Sequence, residues 1–528
     1  MDPSSAWENF LEAIAALLSK ALTDKETEKV IAGFNNFQQR LQRLSSQNLL
    51  RMNLEITARE KRVSNCKHEG KTCTQNVTRG FFKTWVIGYI VKYLIGVLPA
   101  ILTGKILKNP GILKRSGGND TVRFAFFLSS FLSAYKGVLC MMRHFRPDHK
   151  GDRLNAFVAG SVAGLTLLLD KNKSRRTALT LYLFTRSIQF GSSYLMKKWA
   201  EHRDANRAAD RQALMNSSNR GHKGKFVSER RWDDILAKIM TSSAATVVMS
   251  LTAAVNLYSC FLEPSAVRKS YWNFIMEHSG LPQKFGPMFP PMVDTFRSQF
   301  NVLKEMPRGL EHISIPAGVP SRDFVAQNIS PNIATLIPSH LHHEFQLCAL
   351  LHPLTPCSGH AIDVLTGEFA RAVKMYGTLN FIVTLVFQRK KLVTEPKEVA
   401  YRYIRSTLRS CMFLTVYVLA AFYVPCWMRA ILRKETRFTY LFNGIVSGLA
   451  VLIEAPGRQM ELALYCLPRA LETTWNLLLS RGLVRNIPHG DIALFSASMG
   501  VMMTIYQNDP SVINKHYLTV LTRIFGRN

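Results

Sequence analysis

The chain has 528 residues, of which 47% are hydrophobic, and its formal net charge is +31. Its mean hydropathy is only +0.01, because apolar segments alternate with strongly basic connections. The basic residues flank the apolar segments and form no single tract or known nucleic-acid module. We therefore expect membrane lipids as partners, held by attraction to anionic headgroups, and no nucleic acid.

Residues 1–65 are predicted to form a soluble helical region. Ser5 and Glu8 have the spacing of a capping box, and apolar residues follow at helical intervals. The N-terminal sequence resembles neither a secretory signal peptide nor an Arg-rich mitochondrial presequence. We expect any organelle-targeting signal to be internal.

Two parts of the chain share a series of residues in the same order. Residues 140–143 (Cys-Met-Met-Arg) recur as residues 426–429 (Cys-Trp-Met-Arg), 286 positions later. Other matched positions follow at slowly drifting offsets. After the fourth apolar segment of each copy, the distance between matched positions becomes shorter. The first copy accounts for this change, because it contains a charged loop, predicted at residues 198–234, that the second copy lacks. This pattern predicts an internal duplication, which is common in membrane proteins that handle a substrate.

Each copy is predicted to contain four or five apolar membrane segments. Residues 66–280 form the first module and residues 367–528 the second, separated by a soluble insertion rich in Pro and His at 281–366. Ile239–Leu262 has no charged residue over 24 positions, and Ser410–Met428 has none over 19. Both are long enough to cross a bilayer. The predicted fold is an all-α, polytopic integral membrane protein built from two tandem homologous helical modules.

The number of spans in each module stays open at this point. The first apolar segment of each copy, at about 84–104 and 372–388, carries basic residues and suits either a span or a surface-lying helix. Five spans would invert the second module relative to the first, whereas four would leave the two modules parallel.

Small residues recur at helical spacing in the third segment of each copy. These are Gly160 and Gly164 in the first module and Gly444 and Gly448 in the second. Glycines four positions apart remove side chains from one helix face and let another backbone approach closely. We expect helix packing at these positions, which says nothing about a substrate.

One arginine lies inside the fourth segment of each copy, Arg186 in the first and Arg469 in the second. A cation in the middle of a membrane costs at least about 2.5–3.5 kcal/mol and needs a partner. The two arginines either join helices or flank a path for a lipid-derived anion. Glu472 is spaced to pair with Arg469, while Gln189 occupies the matching place after Arg186.

Cysteine and histidine lie close together before the first apolar segment of each copy. The candidate ligands for zinc, three from each module with a fourth from elsewhere, are Cys66, His68, Cys73, Cys348, His352 and Cys357. His340, His342 and His343 add further possible ligands. A redox-sensitive disulfide or plain structural residues are the alternatives, and no other cofactor is expected. We expect Cys140, Cys260, Cys411 and Cys426 to be inert packing residues.

The sequence contains no Walker loop, no dinucleotide-binding glycine motif and no nucleophile elbow. It also lacks paired carboxylates in a credible cleft. We therefore expect that the chain is not an enzyme.

Several residues of the second module resemble a known family. The segment His352-Pro-Leu-Thr-Pro-Cys357, followed by Phe369, Tyr376 and the basic run at 388–391, is similar to the transmembrane protein 135 family, also described as a peroxisomal membrane protein. The resemblance covers most of the chain from about residue 66. It implies a multi-pass protein of peroxisomal or mitochondrial membranes, linked to fatty-acid metabolism and organelle dynamics.

A more distant resemblance lies inside each module. Arg153-x-Asn155, followed by Gly160 and Gly164, is similar to the mitochondrial Tim seventeen/twenty-two/twenty-three translocase family. That family has four spans with glycine-rich packing faces, so this resemblance favours four spans per module.

Two functions remain open from the sequence. The modules either form a conduit or carrier for lipid-derived anions, or they are a non-transporting scaffold. In the scaffold, the basic loops and the 281–366 insertion would recruit organelle-division or distribution proteins. The sequence does not determine the oligomeric state.

Overall fold

The computed structural model describes Cys66 and residues 73–102, 109–146, 152–216, 235, 243–306 and 312–526. The predicted N-terminal region at 1–65 lies outside these residues, as does His68. The chain divides into the compact units Met1–Lys67 and His68–Asn528. The regular secondary structure of the second unit is helical. Its described residues contain no strand, only one isolated bridge between Ser314 and Phe345.

The described part of the first half consists of helices. They are α1 (Cys73–Leu102), α2 (Gly111–Ser116), α3 (Asn119–Phe145), α4 (Asp152–Gly164), α5 (Lys173–Asn216) and α6 (Ala244–Leu262). Helix α4 continues as a 3₁₀ helix at Leu165–Leu169. The prediction of a loop from residue 198 is wrong up to residue 216, because α5 continues there. Charged neighbours such as Lys198 and Glu201, 2.7 Å apart, support that exposed stretch.

The middle of the chain consists of shorter helices. They are α7 (Lys269–Ser279), α8 (Leu281–Phe285), α9 (Phe289–Leu303), α10 (Ser321–Asn328), α11 (Pro331–Ala334) and α12 (Gln346–Leu351). Gly280, between α7 and α8, has a φ of 74°, the left-handed conformation that commonly ends a helix.

The second half returns to long helices. They are α13 (Cys357–Phe387), α14 (Arg389–Thr394), α15 (Pro396–Leu432), α16 (Arg437–Gly448), α17 (Pro456–Ser480), α18 (Gly490–Asn508) and α19 (Lys515–Phe525). Proline begins α15 and α17, where a missing N–H removes no intrahelical hydrogen bond. The Thr436 hydroxyl accepts a hydrogen bond from the Thr439 N–H and caps α16.

Five helical stretches among the described residues are long and apolar enough to cross a membrane. They are Cys73–Val97, Gly111–Phe145, Asp152–Leu169, Ala244–Leu262 and Pro396–Leu432. Large apolar side chains lie exposed on α1, including Phe82 and Ile95, as expected of a lipid-facing surface. The all-α, polytopic membrane fold is confirmed. The other predicted segments lie on helices that are not among these five stretches, namely α5, α13, α16, α17 and α18.

The long helices pack into two bundles. Bundle 1 contains α3, α4, α5 and α18, and bundle 2 contains α15, α16, α17 and α6. Helix α1 lies on α3, and α13 lies on α15 in the same way. Each bundle thus takes three helices from one half of the chain and its last helix from the other half. The two bundles also touch where α5 meets α17.

The insertion at 281–366 shares a core with the long helices. Phe285, Phe289 and Phe296 belong to one apolar cluster with Phe261 of α6 and Phe422 of α15. Burial of these aromatic rings therefore holds the short helices against bundle 2.

Candidate functional site

Four potential metal ligands converge where α12, α13 and α15 meet. Cys348 is on α12 and His352 immediately follows it, while Cys357 begins α13 and Cys426 lies near the end of α15. Their ligand atoms all lie within 4.8 Å of one another. Cys348, His352 and Cys426 are buried, and Cys357 is half-buried. The spacing in sequence predicted the first three residues as a set.

The His352 ring presents one nitrogen to the sulfur atoms. Its Nδ1 lies 2.8 Å from the Thr355 carbonyl oxygen. A carbonyl oxygen only accepts, so Nδ1 carries a proton, and in the neutral ring Nε2 keeps its lone pair. Nε2 lies 3.6 Å from the Sγ atoms of both Cys357 and Cys426. The ring is therefore held in the tautomer that a metal ligand needs.

A buried arginine lies directly behind the sulfur atoms. The Arg429 Nη1 contacts Cys348 Sγ at 3.4 Å, and its Nη2 donates to the Tyr440 hydroxyl at 3.0 Å. Its Nε lies 2.5 Å from a carboxylate oxygen of Glu435. The guanidinium group supplies positive charge beside the thiols, and Glu435 balances that charge locally.

Hydrogen bonding within the cluster favours a thiolate. Contacts with Cys348 and Cys426 lower the pKa of Cys357 to about 3. Burial lowers the pKa of His343 to about 4 and that of His360 to about 3, so both imidazoles are neutral near pH 7. The cluster combines soft anionic and neutral nitrogen donors.

The sequence interpretation missed Cys426. We expected an inert packing residue, but its Sγ lies 3.6 Å from that of Cys348. The sequence did contain one signal for Cys426. Residues 140–143 recur at 426–429, and this recurrence includes a cysteine and an arginine one helical turn apart. Spacing alone could not select this cysteine, since packing of α12 on α15 brings it to the cluster.

The other Cys and His candidates differ in their surroundings. Among the first-module residues, Cys66 is half-buried, Cys73 is exposed, and His68 lies outside the described residues. The Sγ atoms of Cys73 and Cys140 lie within 4.8 Å of each other, and the predicted duplication matches this pair to Cys357 and Cys426.

The neighbouring histidines add no ligand to the four-residue cluster. The His343 ring centroid lies 5.2 Å from that of His352. His342 Nδ1 contacts the Val319 carbonyl oxygen at 3.0 Å, and His340 is exposed.

Arg186 is neutralised by a residue of the opposite half of the chain. Its Nη2 lies 2.7 Å from a Glu461 carboxylate oxygen, and its Nη1 donates to the Gln189 side chain at 2.8 Å. The guanidinium also stacks 4.6 Å from the centroid of the Tyr517 ring. Sequence reasoning noted Gln189 only as the residue at the place of Glu472, and it missed Glu461, which lies on α17.

Arg469 pairs with Glu472 at 3.2 Å, as their spacing predicts. Glu472 also pairs with Arg268 at 3.2 Å. One carboxylate thus serves two arginines, and this group retains one net positive charge.

The predicted glycine faces lie against helices of the opposite half. An added Cβ at Gly160 would lie 2.6 Å from the Met499 carbonyl oxygen on α18. One at Gly444 would lie 2.2 Å from the Ala254 Cα on α6. Gly164 and Gly448 continue the two contacts, facing Ser496 and Ser250 respectively. Only a residue without a side chain permits these backbone approaches.

A cavity of about 260 Å³ adjoins the Cys/His cluster, and His352 forms part of its wall. Its cationic lining residues are paired, Lys284 with Asp363 and Arg371 with Glu368, each at 2.9 Å. The cavity therefore offers no unbalanced cation for an anion, and neither Arg186 nor Arg469 lines it.

Residues 345–479 match a family model described as the N-terminal cysteine-rich region of Transmembrane protein 135. This part of the chain is therefore similar to the transmembrane protein 135 family. The match confirms the resemblance seen in the second module and includes all four residues of the Cys/His cluster. No solved structure gives a significant match. Similarity of the modules to the Tim seventeen/twenty-two/twenty-three family stays a prediction.

Proposed function

We propose that this protein is a non-enzymatic, non-transporting scaffold in peroxisomal or mitochondrial membranes. It would act in lipid metabolism and organelle dynamics by holding partner proteins through its basic connections and the 281–366 insertion. The organelle part of the proposal rests on the family resemblance. The scaffold part rests on the pairing of Arg186 with Glu461.

The pairing of Arg186 with Glu461 carries this proposal. The Arg186 side chain is 8% exposed and already has a carboxylate ligand from its own chain. A substrate carboxylate would have to displace Glu461, whose side chain is 38% exposed, from the buried guanidinium that it already neutralises. The contact instead ties α5 of bundle 1 to α17 of bundle 2, which suits a structural role.

A carrier for lipid-derived anions is the second candidate. The group formed by Arg268, Glu472 and Arg469 favours it, because two cations share one carboxylate. This net positive charge could attract a carboxylate or phosphate headgroup.

Flux measurements on the full chain in liposomes test the two functions. We expect fatty-acyl anions to cross these vesicles no faster than protein-free vesicles. Arg469→Gln would then leave the flux unchanged, and so would Arg186→Gln/Glu461→Gln, which removes both charges of one pair. Flux well above the protein-free level that is lost in Arg469→Gln would overturn the scaffold and support the carrier.

Rescue of organelle distribution in cells lacking the chain provides the positive test. If the chain is a scaffold, the Arg186→Gln/Glu461→Gln variant should restore organelle distribution as well as the native chain does at equal abundance. Loss of rescue by a well-folded, equally abundant variant would contradict the proposal.

We also infer that the two bundles descend from one duplicated ancestor. The recurring residues support this inference, as does the matched packing of α1 on α3 and α13 on α15. The reciprocal placement of α6 and α18 also supports it, since each packs in the bundle of the other half.

A further inference from the structure

We propose that Cys348, His352, Cys357 and Cys426 bind one structural metal ion of the zinc class, which fastens α12, α13 and α15 together. This inference is independent of the proposed scaffold function, because it rests on the geometry of the four side chains.

The spacing of the donor atoms fits a tetrahedral ion. Zinc lies about 2.3 Å from a cysteine sulfur and about 2.0–2.1 Å from a histidine nitrogen, so a tetrahedron has edges of about 3.8 Å between two sulfurs and about 3.6 Å between sulfur and nitrogen. Here the Cys348 and Cys426 sulfurs are 3.6 Å apart. Both distances from His352 Nε2, to Cys357 Sγ and Cys426 Sγ, are also 3.6 Å. Three edges thus have nearly the length that an ion at the centre requires.

The surroundings of the ligands are built to hold them. The Thr355 carbonyl fixes the His352 tautomer, a support commonly found behind metal-binding histidines. The Arg429 guanidinium lies 3.4 Å from Cys348 Sγ. Its N–H group can therefore stabilise a thiolate at Cys348 through a charge-assisted hydrogen bond, while Glu435 balances the charge of the arginine itself.

The ligand types select the class of ion. Three sulfurs and one imidazole suit zinc, whereas calcium and magnesium require oxygen ligands. With four protein ligands the coordination is complete, so the site is structural and not catalytic. A Cys348–Cys426 disulfide would require sulfurs about 2.0 Å apart and would not explain why His352 and Cys357 converge there.

The ion would fasten a short element to a long one. Helix α12 has only six residues, which is too short to be stable by itself. The ion would bind Cys348 and His352 on one side and Cys426 of α15 on the other. It would thereby hold α12 against α15. This contact joins the end of the 281–366 insertion to a candidate membrane span.

Metal analysis of the purified full chain tests the proposal directly. We expect Cys426→Ser and Cys348→Ser to lower the bound zinc by about one ion per chain. Cys411→Ser is the matched control, because Cys411 is also buried on α15 but lies outside the cluster. That variant should keep the metal content of the native sequence. Equal metal content in all three variants would overturn the site.

Cobalt substitution tests the native chain without relying on mutants that must fold. Exchange of zinc for Co²⁺ should give sulfur-to-cobalt charge-transfer absorption and the strong visible bands of tetrahedral coordination. After removal of the metal with a chelator, Cys348, Cys357 and Cys426 should become alkylated faster, with no change at Cys411. A native chain that binds neither zinc nor cobalt, or that carries a Cys348–Cys426 disulfide instead, would refute the proposal.

Discussion

Arg429 shows how single residues inside this protein balance their charge locally. Its side chain is 0% exposed and that of Glu435 is 1% exposed, yet the two form an ion pair with each other. Tyr440 and the cluster sulfurs occupy other N–H groups of the guanidinium. A buried pair of this kind adds little net stability over an apolar pair, but removing one partner leaves an uncompensated charge.

Arg429→Gln should lower the free energy of unfolding by about 3–5 kcal/mol, because Glu435 would remain buried without its cation. Arg429→Gln/Glu435→Gln should recover more than half of that loss. Denaturant titration of the full chain in detergent measures both values. Arg402→Gln is the control, since its pair with Glu398 is exposed on the same helix and is worth under about 1 kcal/mol. Equal effects of the two single substitutions would contradict this account.

The Arg186–Glu461 pair should make stability depend on pH. Burial raises the pKa of Glu461, but hydrogen bonds from Arg186 and Tyr517 outweigh it, and the resulting pKa lies below the ordinary value. The pair therefore stabilises the fold above the ordinary carboxyl pKa, about 4.3, and this contribution is lost as the pH falls through the lower folded value. The unfolding midpoints of the native chain and of Glu461→Gln should differ at pH 7. That difference should become smaller as the pH is lowered. Midpoints that stay equally far apart would count against the pair.

Residue patterns predicted only part of each site. Cys348, His352 and Cys357 lie within ten positions of one another, so their local spacing identified them together. Cys426 and Glu461 come from distant helices, and only the packing of those helices decides which residue reaches the cluster or Arg186. A single sequence contains no direct record of such contacts.

At the scale of secondary structure, the two glycine-bearing helices act as close-packing surfaces. The apolar runs predicted that α4 and α16 exist, and their glycine spacing predicted a contact face. The sequence could not predict which helix lies on that face. It also placed the start of α13 too late, at about 372, because the polar first turns of that helix obscure its apolar pattern.

Gly444→Ala should destabilise the chain by about 1–3 kcal/mol, because the new methyl group overlaps the backbone at Ala254 and α16 must shift away from α6. Gly191→Ala is the control, since that helical position in α5 has no atom within 4 Å of an added Cβ. It should instead stabilise α5 by about 0.5–1 kcal/mol. Thermal or denaturant unfolding in detergent compares the two. Similar changes in both variants would show that α16 and α6 do not approach so closely.

For the whole molecule, the reciprocal placement of α6 and α18 joins the two halves of the chain. Neither half supplies a complete bundle, so each depends on the other for one buried helix face. Duplication could be predicted from the recurring residues, but the exchange could not. A duplicated sequence is equally compatible with two bundles that each keep their own last helix.

A disulfide between α4 and α18 should trap this exchange. An added Cβ at Gly500 lies 2.4 Å from Ser161 Oγ and 2.9 Å from the Phe157 ring. Both side chains must shift to admit it, and Ser161→Cys/Gly500→Cys should then form a disulfide under mild oxidation. With a protease site inserted at 217–234, the cut chain should then run as one species on a non-reducing gel and as two after reduction. Ser161→Cys/Gly457→Cys is the control, because nothing lies within 4 Å of an added Cβ at Gly457. If the cut fragments separate in both variants, then α18 does not pack on α4 and each half folds with its own last helix.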